Sequence, residues 1–362
     1  GTITRRYPDR VILNVTNSCA AFCRHCQRRR NIGEKDIYIN KASLEESFEY
    51  IKSHPEIRDV LITGGDPLTL SDSCIENILI KIRSIETVEI IRIGTRIPVT
   101  LPQRITSELI TILKKYGPIY MNTQFNHPSE ITEESSKACL DLAENGIVLG
   151  NQMVFLKNIN TDYYNLQLLN QLLLKIKVRP YYIFHPKDVI GTKHFSISIA
   201  EGIRIYEQLR GNTSGLAIPT YILNAEQGLG KIALNKDILK NVNPDETVIL
   251  ETWEGNKIIK NIWEEMKIGF CFDCKEDYGY TSNDLSFCDF ISPTAITFVK
   301  ESLEKCGHKV TLVGNHKKLL EYLKQNNTFD LIITAAAEIG KAGLRLYVNC
   351  IIFHMLVRTR IL

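Results

Sequence analysis

Seven β-rich runs, each separated from the next by an amphipathic segment, constrain this chain more than any other feature. The runs are VILNVT (11–16), DVLITGG (59–65), VEIIRIG (88–94), IYMNTQF (119–125), VLGNQMVF (148–155), PYYIF (180–184) and AIPTYIL (217–223). They recur at intervals of roughly 30–45 residues, as strand-plus-helix units do. Between them, Ser43 and Glu46 form a capping-box pattern opening LEESFEYIKSH. Thr106 opens SELITILKKYG, with Leu109, Ile112 and Leu113 on one face and Gly117 as the stop. Thr132 opens EESSKACLDLAENG in the same way, ending at Gly146. Strands alternating with helices predict a parallel sheet. Six or seven such units predict a partial or complete (βα) TIM-like barrel in an α/β protein, with its chemistry at the C-terminal strand ends. The cysteines after the first run, Gly64-Gly65-Asp66 after the second and Asn224 after the last all fall there.

After about residue 245 the pattern changes. TVILETWEGNKIIKNI reads as a hairpin turning at Glu254-Gly255-Asn256. KIGFCFD, TAITFVKESLEKCGHK, VTLVG, HKKLLEYLKQNN and FDLIITAA then predict a small, separate Rossmann-like βαβαβ unit. The expected domains are 1–264 and 265–362.

Cys19, Cys23 and Cys26 form a C-x3-C-x2-C triplet with no fourth Cys or His close behind. Three thiolates at this spacing suit a [4Fe–4S] cluster in which one iron has no protein ligand. That iron can take the amino and carboxylate groups of S-adenosylmethionine. Most clusters that only carry electrons have four thiolates, and structural zinc also wants four ligands. Zinc and unrelated buried thiols are the alternatives that spacing leaves open.

Composition bounds the rest. The chain has 362 residues, 44% hydrophobic and 23% charged, with a net charge of +3. Nothing here argues for nucleic-acid binding. Ten cysteines in a chain this large, with no signal peptide, do not make a disulfide miniprotein, so a cytoplasmic location is expected. The apolar stretch Val348–Val357 is too short to span a bilayer, so no membrane partner is expected. Arg28, Arg29 and Arg30 beside the triplet suit a small anionic ligand. Gly1 directly before a motif and an uncapped C-terminus read as a fragment.

Ordered motifs over roughly residues 5–260 resemble the lysine 2,3-aminomutase family, radical S-adenosylmethionine enzymes that also use pyridoxal 5′-phosphate. They are RRYPDR, CAAFCRHCQRRR, TGGDPL, GTRIPVTLPQRIT, FNHPSEIT, GNQ, RPYYIF, LRGNTSG and GLGK. The resemblance implies a partial barrel of the radical S-adenosylmethionine type and an isomerase that moves an amino group by 5′-deoxyadenosyl radical chemistry. By the same resemblance, Cys19, Cys23 and Cys26 hold the [4Fe–4S] cluster and Lys231 carries pyridoxal phosphate as the catalytic lysine. Arg6 and Arg10 contact its phosphate, a task suited to arginine forks. His25, Gly64, Gly65, Asp66 and Gln152 contact bound cofactors, and Gly64 and Gly65 let backbone approach the methionyl end of S-adenosylmethionine. Arg28 binds the α-carboxylate of a small amino-acid substrate.

Lysine-specific members hold the substrate ammonium with two aspartates, which align with Lys187 and Asn224 here. A cation and a neutral amide repel an ammonium and attract a carboxylate. This pattern is similar to the glutamate-specific members, with lysine or another amino acid as the alternative. The family's N-terminal assembly segment is missing, so homo-oligomer formation is left open. KIGFCFDCKEDYGY and FDLIITAAAEIGKAG resemble the start of a D-alanine–D-alanine ligase-like pre-ATP-grasp domain. That raises a reading from another class, an ATP-grasp ligase fused to a regulatory Fe–S module. The nucleotide-binding part of such a ligase is absent, and Cys271 and Cys274 are expected to bind no metal.

Overall fold

The computed structural model describes residues 2–29, 32, 40–263, 267–272, 293–305, 308–325, 329, 331–340 and 343–351. Nine strands form one sheet whose spatial order is their chain order. They are β1 (Ile3–Tyr7), β2 (Arg10–Thr16), β3 (Asp59–Gly64), β4 (Ile90–Gly94), β5 (Ile119–Thr123), β6 (Val148–Val154), β7 (Val178–Phe184), β8 (Thr220–Asn224) and β9 (Lys231–Ala233). Neighbours from β2 to β8 pair in parallel. The two outermost strands, β1 and β9, pair antiparallel. The seven parallel strands are the seven runs of the sequence, whereas ITRRY and KIA carried no signal of their own. β1 and β9 stand at opposite ends of the order, yet the Lys231 main-chain N–H donates to the Tyr7 hydroxyl at 3.1 Å. The sheet is therefore curled so that its ends approach without pairing, which makes it a partial barrel.

The helices are α1 (Lys41–Lys52), α2 (Asp72–Arg83), α3 (Ile97–Thr100), α4 (Ser107–Lys115), α5 (Glu133–Glu144), α6 (Tyr163–Lys175) and α7 (Ile199–Glu207). Thr106 and Thr132 cap α4 and α5, accepting from the backbone of Leu109 and Ser135. The capping box expected at Ser43 is displaced. Asn40 is the N-cap of α1, and Ser43 supplies the amide that its side chain accepts. In α4 the buried face is Leu109, Ile110 and Leu113, with Ile112 only half-buried.

One face of the sheet is fully buried, for example Val11, Leu13, Ile91, Ile93, Met121, Leu149, Met153 and Ile183. Strand alternation puts the polar and small residues on the other face. Arg10, Asn14, Arg92, Gly94, Asn122, Gly150 and Gln152 are half-buried there, in the lumen.

The chain divides into two compact units, Gly1–Lys240 with Ile249–Ile259, and Asn241–Val248 with Lys260–Leu362. β10 (Thr247–Glu251) and β11 (Lys257–Asn261) pair as a two-stranded sheet. Between them Gly255 sits at φ +80° and donates to the Thr252 carbonyl, so the expected hairpin turn is present.

The second unit contains β12 (Lys267–Phe272), α8 (Pro293–Lys305), β13 (Lys309–Gly314), α9 (His316–Lys324), β14 (Leu331–Gly340) and β15 (Gly343–Ile351). Its sheet has the order β13-β12-β14-β15, parallel except for β15. Ile268, Phe270, Ile296, Val310 and Ile333 form a core. Cys271 is buried with Val313 and Ile332, while Cys274 lies outside the described residues. Among the described residues no helix is long and apolar enough to cross a membrane.

Candidate functional site

β2 runs straight into the cysteine segment, and the end of β3 lies against it. Gly65 N–H donates to the Thr16 carbonyl at 2.5 Å, and Asp66 N–H to the Ser18 carbonyl at 2.7 Å. A Cβ on Gly64 would stand 2.1 Å from the Thr16 oxygen, and one on Gly65 2.2 Å from the Ser18 oxygen. The close approach that needs these glycines is thus to the backbone of the cysteine segment.

The Asp66 carboxylate is taken up by bonds within the fold. It accepts from Leu68 N–H (3.1 Å), Thr95 Oγ1 (2.6 Å) and Arg96 N–H (2.7 Å). It is buried, and every bond it accepts comes from the end of β3 or β4, so the side chain ties those ends together.

Cys19, Cys23 and Cys26 are partly exposed thiols, none of them joined in a disulfide among the described residues. Cys26 N–H donates to the Cys23 carbonyl at 3.0 Å, folding the segment into a turn. Sulfur-directed donors converge on it: Arg28 N–H lies 3.3 Å from Cys26 Sγ, and Arg96 Nη1 lies 2.9 Å from Cys23 Sγ. Burial pushes the Cys26 thiol above its ordinary value. Among the described residues no three His, Cys, Asp or Glu close on a single ion. Three thiolates, two of them met by N–H donors aimed at sulfur, are the kind of ligand set that a [4Fe–4S] cluster takes.

His25, between the last two cysteines, is pushed down to about 4 by burial and then by Arg96. Its Nε2 is buried with no partner among the described residues, and its ring stands edge-on to Phe195. A shielded, unpartnered ring nitrogen beside the cysteines is a place for a polar ligand atom.

Arg28 turns inward. Its Nη1 donates to Asn14 Oδ1 on β2 and to the Gly64 carbonyl, both at 2.9 Å, leaving Nε and Nη2 for another acceptor. Arg29 instead donates to the Arg24 and Gly191 carbonyls, and Arg30 lies outside the described residues.

A second centre forms around Lys231, the first residue of β9 and the register partner of Asn224 on β8. Its ammonium sits 4.9 Å from the Tyr182 ring centroid and 5.9 Å from that of Phe184. Burial first, then Arg92 and Arg10, push Lys231 down to about 8, with Asp59 opposing. Arg92 pairs with Asp59 at 2.8 Å, and Arg10 with Asp9 at 2.9 Å while lying over the Tyr7 ring. Arg6 pairs with Glu254 at 2.6 Å and lies over Trp253, yet its Nε is buried without a partner among the described residues. Gly230 has φ +93°, and a Cβ there would be 3.0 Å from both Trp253 and the Tyr7 hydroxyl. A nucleophilic amine flanked by aromatic rings, three arginines and an orphan guanidinium N–H fits an aromatic aldehyde bearing a phosphate.

Gln152 lies on β6 in register with Tyr182, half-buried in the lumen. Asn224 is half-buried beside Lys231. Lys187 is not brought to this group. His185 is tied back to β8, its N–H to the Ile222 carbonyl and its ring to the Tyr221 hydroxyl, and the chain beyond exposes Lys187. Tyr7, Arg92, Arg96, Tyr182 and Trp253 are site residues that the sequence reading did not single out.

A family model described as the radical SAM superfamily matches residues 13–163, and one described as lysine-2,3-aminomutase matches residues 206–283. A glutamate 2,3-aminomutase of Clostridioides difficile is 57% identical over 260 residues, covering 72% of this chain and 61% of that protein. The L-lysine 2,3-aminomutase of Acetoanaerobium sticklandii is 43% identical over 304 residues, covering 84% and 73%. That of Clostridium subterminale is 47% identical over 253 residues, covering 70% and 61%. The chain therefore spans about three fifths of the length of the first and third of these relatives.

Proposed function

Because the chain belongs to the lysine 2,3-aminomutase family of radical S-adenosylmethionine proteins, we propose that it interconverts L-glutamate and β-glutamate. The observation that carries the substrate choice is the pairing of Asn224 with Lys231. A neutral amide, not a carboxylate, lies beside the reacting lysine, so a substrate carboxylate gains a donor there and an ammonium gains no counter-charge. The higher identity to the glutamate enzyme, 57% against 43% and 47%, supports the same choice.

The bound cofactors supply a hydrogen-abstracting radical and an electron sink for the migrating nitrogen. The chain's own residues bind and orient. Lys231 has its value lowered to about 8, so it offers neutral amine near neutral pH to the aldehyde of pyridoxal phosphate. Arg6 and Arg10 hold the phosphate. The Tyr182 and Phe184 rings keep water from the amine. Arg28 takes the substrate α-carboxylate with its remaining N–H groups, while Asn224 takes the distal one and exposed Lys187 adds only a screened positive charge. Cys19, Cys23 and Cys26 hold the cluster. His25, Gln152 and the Gly64-Gly65-Asp66 backbone line the S-adenosylmethionine side. For the second unit the proposal is a pre-ATP-grasp-like fold without ligase activity.

The test is product analysis by NMR. Reconstituted protein is given glutamate or lysine separately, with S-adenosylmethionine and a reductant. β-Glutamate from glutamate, with lysine untouched, is expected. β-Lysine alone would overturn the substrate choice, and neither product would overturn the activity.

A further inference from the structure

We infer that Arg96 is a positioning residue for the group held by the cysteines, fixing Cys23 and setting the reduction potential through a charge-assisted hydrogen bond to its sulfur. The inference rests on the reading that Cys19, Cys23 and Cys26 carry an iron–sulfur cluster.

Arg96 follows β4, and four of its groups are anchored. Its main-chain N–H donates to Asp66 Oδ2 at 2.7 Å, and Nε donates to the Gln124 carbonyl just past β5 at 3.1 Å. Nη2 donates to Glu130 at 2.5 Å, and Nη1 to Cys23 Sγ at 2.9 Å. Glu130 is itself fixed, its other oxygen accepting from the main chain of Asn126 at 2.5 Å and His127 at 3.3 Å. The Arg96 and Glu130 side chains are only 18% and 25% exposed, so water screens this bond weakly. Among the described residues Arg96 is the one side chain that donates to Cys23 Sγ. A lysine could bring the charge but not three divergent donors from one rigid plane.

Hydrogen bonds to cluster sulfurs and nearby charge set the reduction potential. Reduction adds negative charge, and a cationic donor at the sulfur stabilises the reduced state. Arg96 therefore raises the potential, and Glu130 moderates it.

The two side chains predict shifts of opposite sign. Anaerobically reconstituted wild type, Arg96→Met, Arg96→Lys and Glu130→Gln are compared by iron content per chain and by potentiometric titration followed by electron paramagnetic resonance. Arg96→Met is expected to lower the midpoint potential and Glu130→Gln to raise it, with Arg96→Lys between Arg96→Met and wild type. If Arg96→Met fails to take up iron, Glu130→Gln and Arg96→Lys decide. Unshifted potentials, or shifts of the same sign, overturn the inference while the cluster reading stands. Wild type that binds no iron and sulfide overturns both.

Discussion

Lys231 shows how far a residue's chemistry depends on its surroundings. An exposed lysine near 10.5 is almost wholly protonated at pH 7, with roughly one amine in three thousand neutral. At about 8, roughly one in ten is neutral, a gain of about three hundredfold in nucleophile. Attachment of pyridoxal phosphate, trapped with borohydride, should rise with pH and level off just above 8. A rate still climbing at pH 10 would mean that the burial and the Arg92 and Arg10 charges do not act. Lys231→Ala should lose the trapped adduct and keep its iron. Specificity is argued from Asn224 and Lys187, which are not equivalent. Asn224 is half-buried in the lumen and Lys187 is exposed. A shielded bond to a carboxylate contributes about 1.5–3 kcal/mol, and an exposed one far less. Asn224→Asp should raise the KM for glutamate at least about tenfold, and Lys187→Met should raise it less. Equal effects would mean that Lys187 folds inward on the substrate.

At the scale of the element, the glycine pair after β3 makes a sharp prediction. A methyl group at position 65 would enter the Ser18 carbonyl, so Gly65→Ala must pry β3 from the cysteine segment. It should lose several kcal/mol against urea, well beyond the roughly 1 kcal/mol of a lost N-cap in Thr132→Ala, and should fail to retain iron. Both variants unfolding at the same urea concentration would remove the argument. The contrast also marks what the sequence could reveal. The seven parallel strands were legible because each is apolar on the face it buries, and Thr106 and Thr132 because a hydroxyl before a periodic run has a local use. Asn40 was overlooked because a capping-box pattern at Ser43 imitated it three residues later. β1 and β9 are short edge strands whose pairing is decided by their neighbours. Cys19, Cys23 and Cys26 stood out by their spacing and Lys231 through the resemblance, whereas Arg96 reads locally as one more arginine. Its meaning exists only once the ends of β3, β4 and β5 stand side by side.

For the barrel as a whole, the decisive feature is that the sheet stops short of closing. Backbone pairing ends at β1 on one side and β9 on the other, and side chains span the remaining gap. The Tyr7 hydroxyl accepts from Lys231 N–H, its ring lies 5.4 Å from Trp253, and Arg6 reaches Glu254. The gap therefore coincides with Lys231, and whatever joins the two edges also fixes where that lysine stands. Tyr7→Phe removes one acceptor while keeping the aromatic packing, which isolates the bond from the shape. The loss should be about 1 kcal/mol of global stability. The local effect should be larger than the global one, because the Lys231 amide loses its partner and the two edges lose a tether. Hydrogen exchange should accelerate at residues 228–231 and leave β3 to β6 unchanged, and pyridoxal phosphate should dissociate faster from the variant than from wild type. Exchange that rises evenly over the whole sheet, or a cofactor held as tightly as before, would show that Tyr7 only fills space.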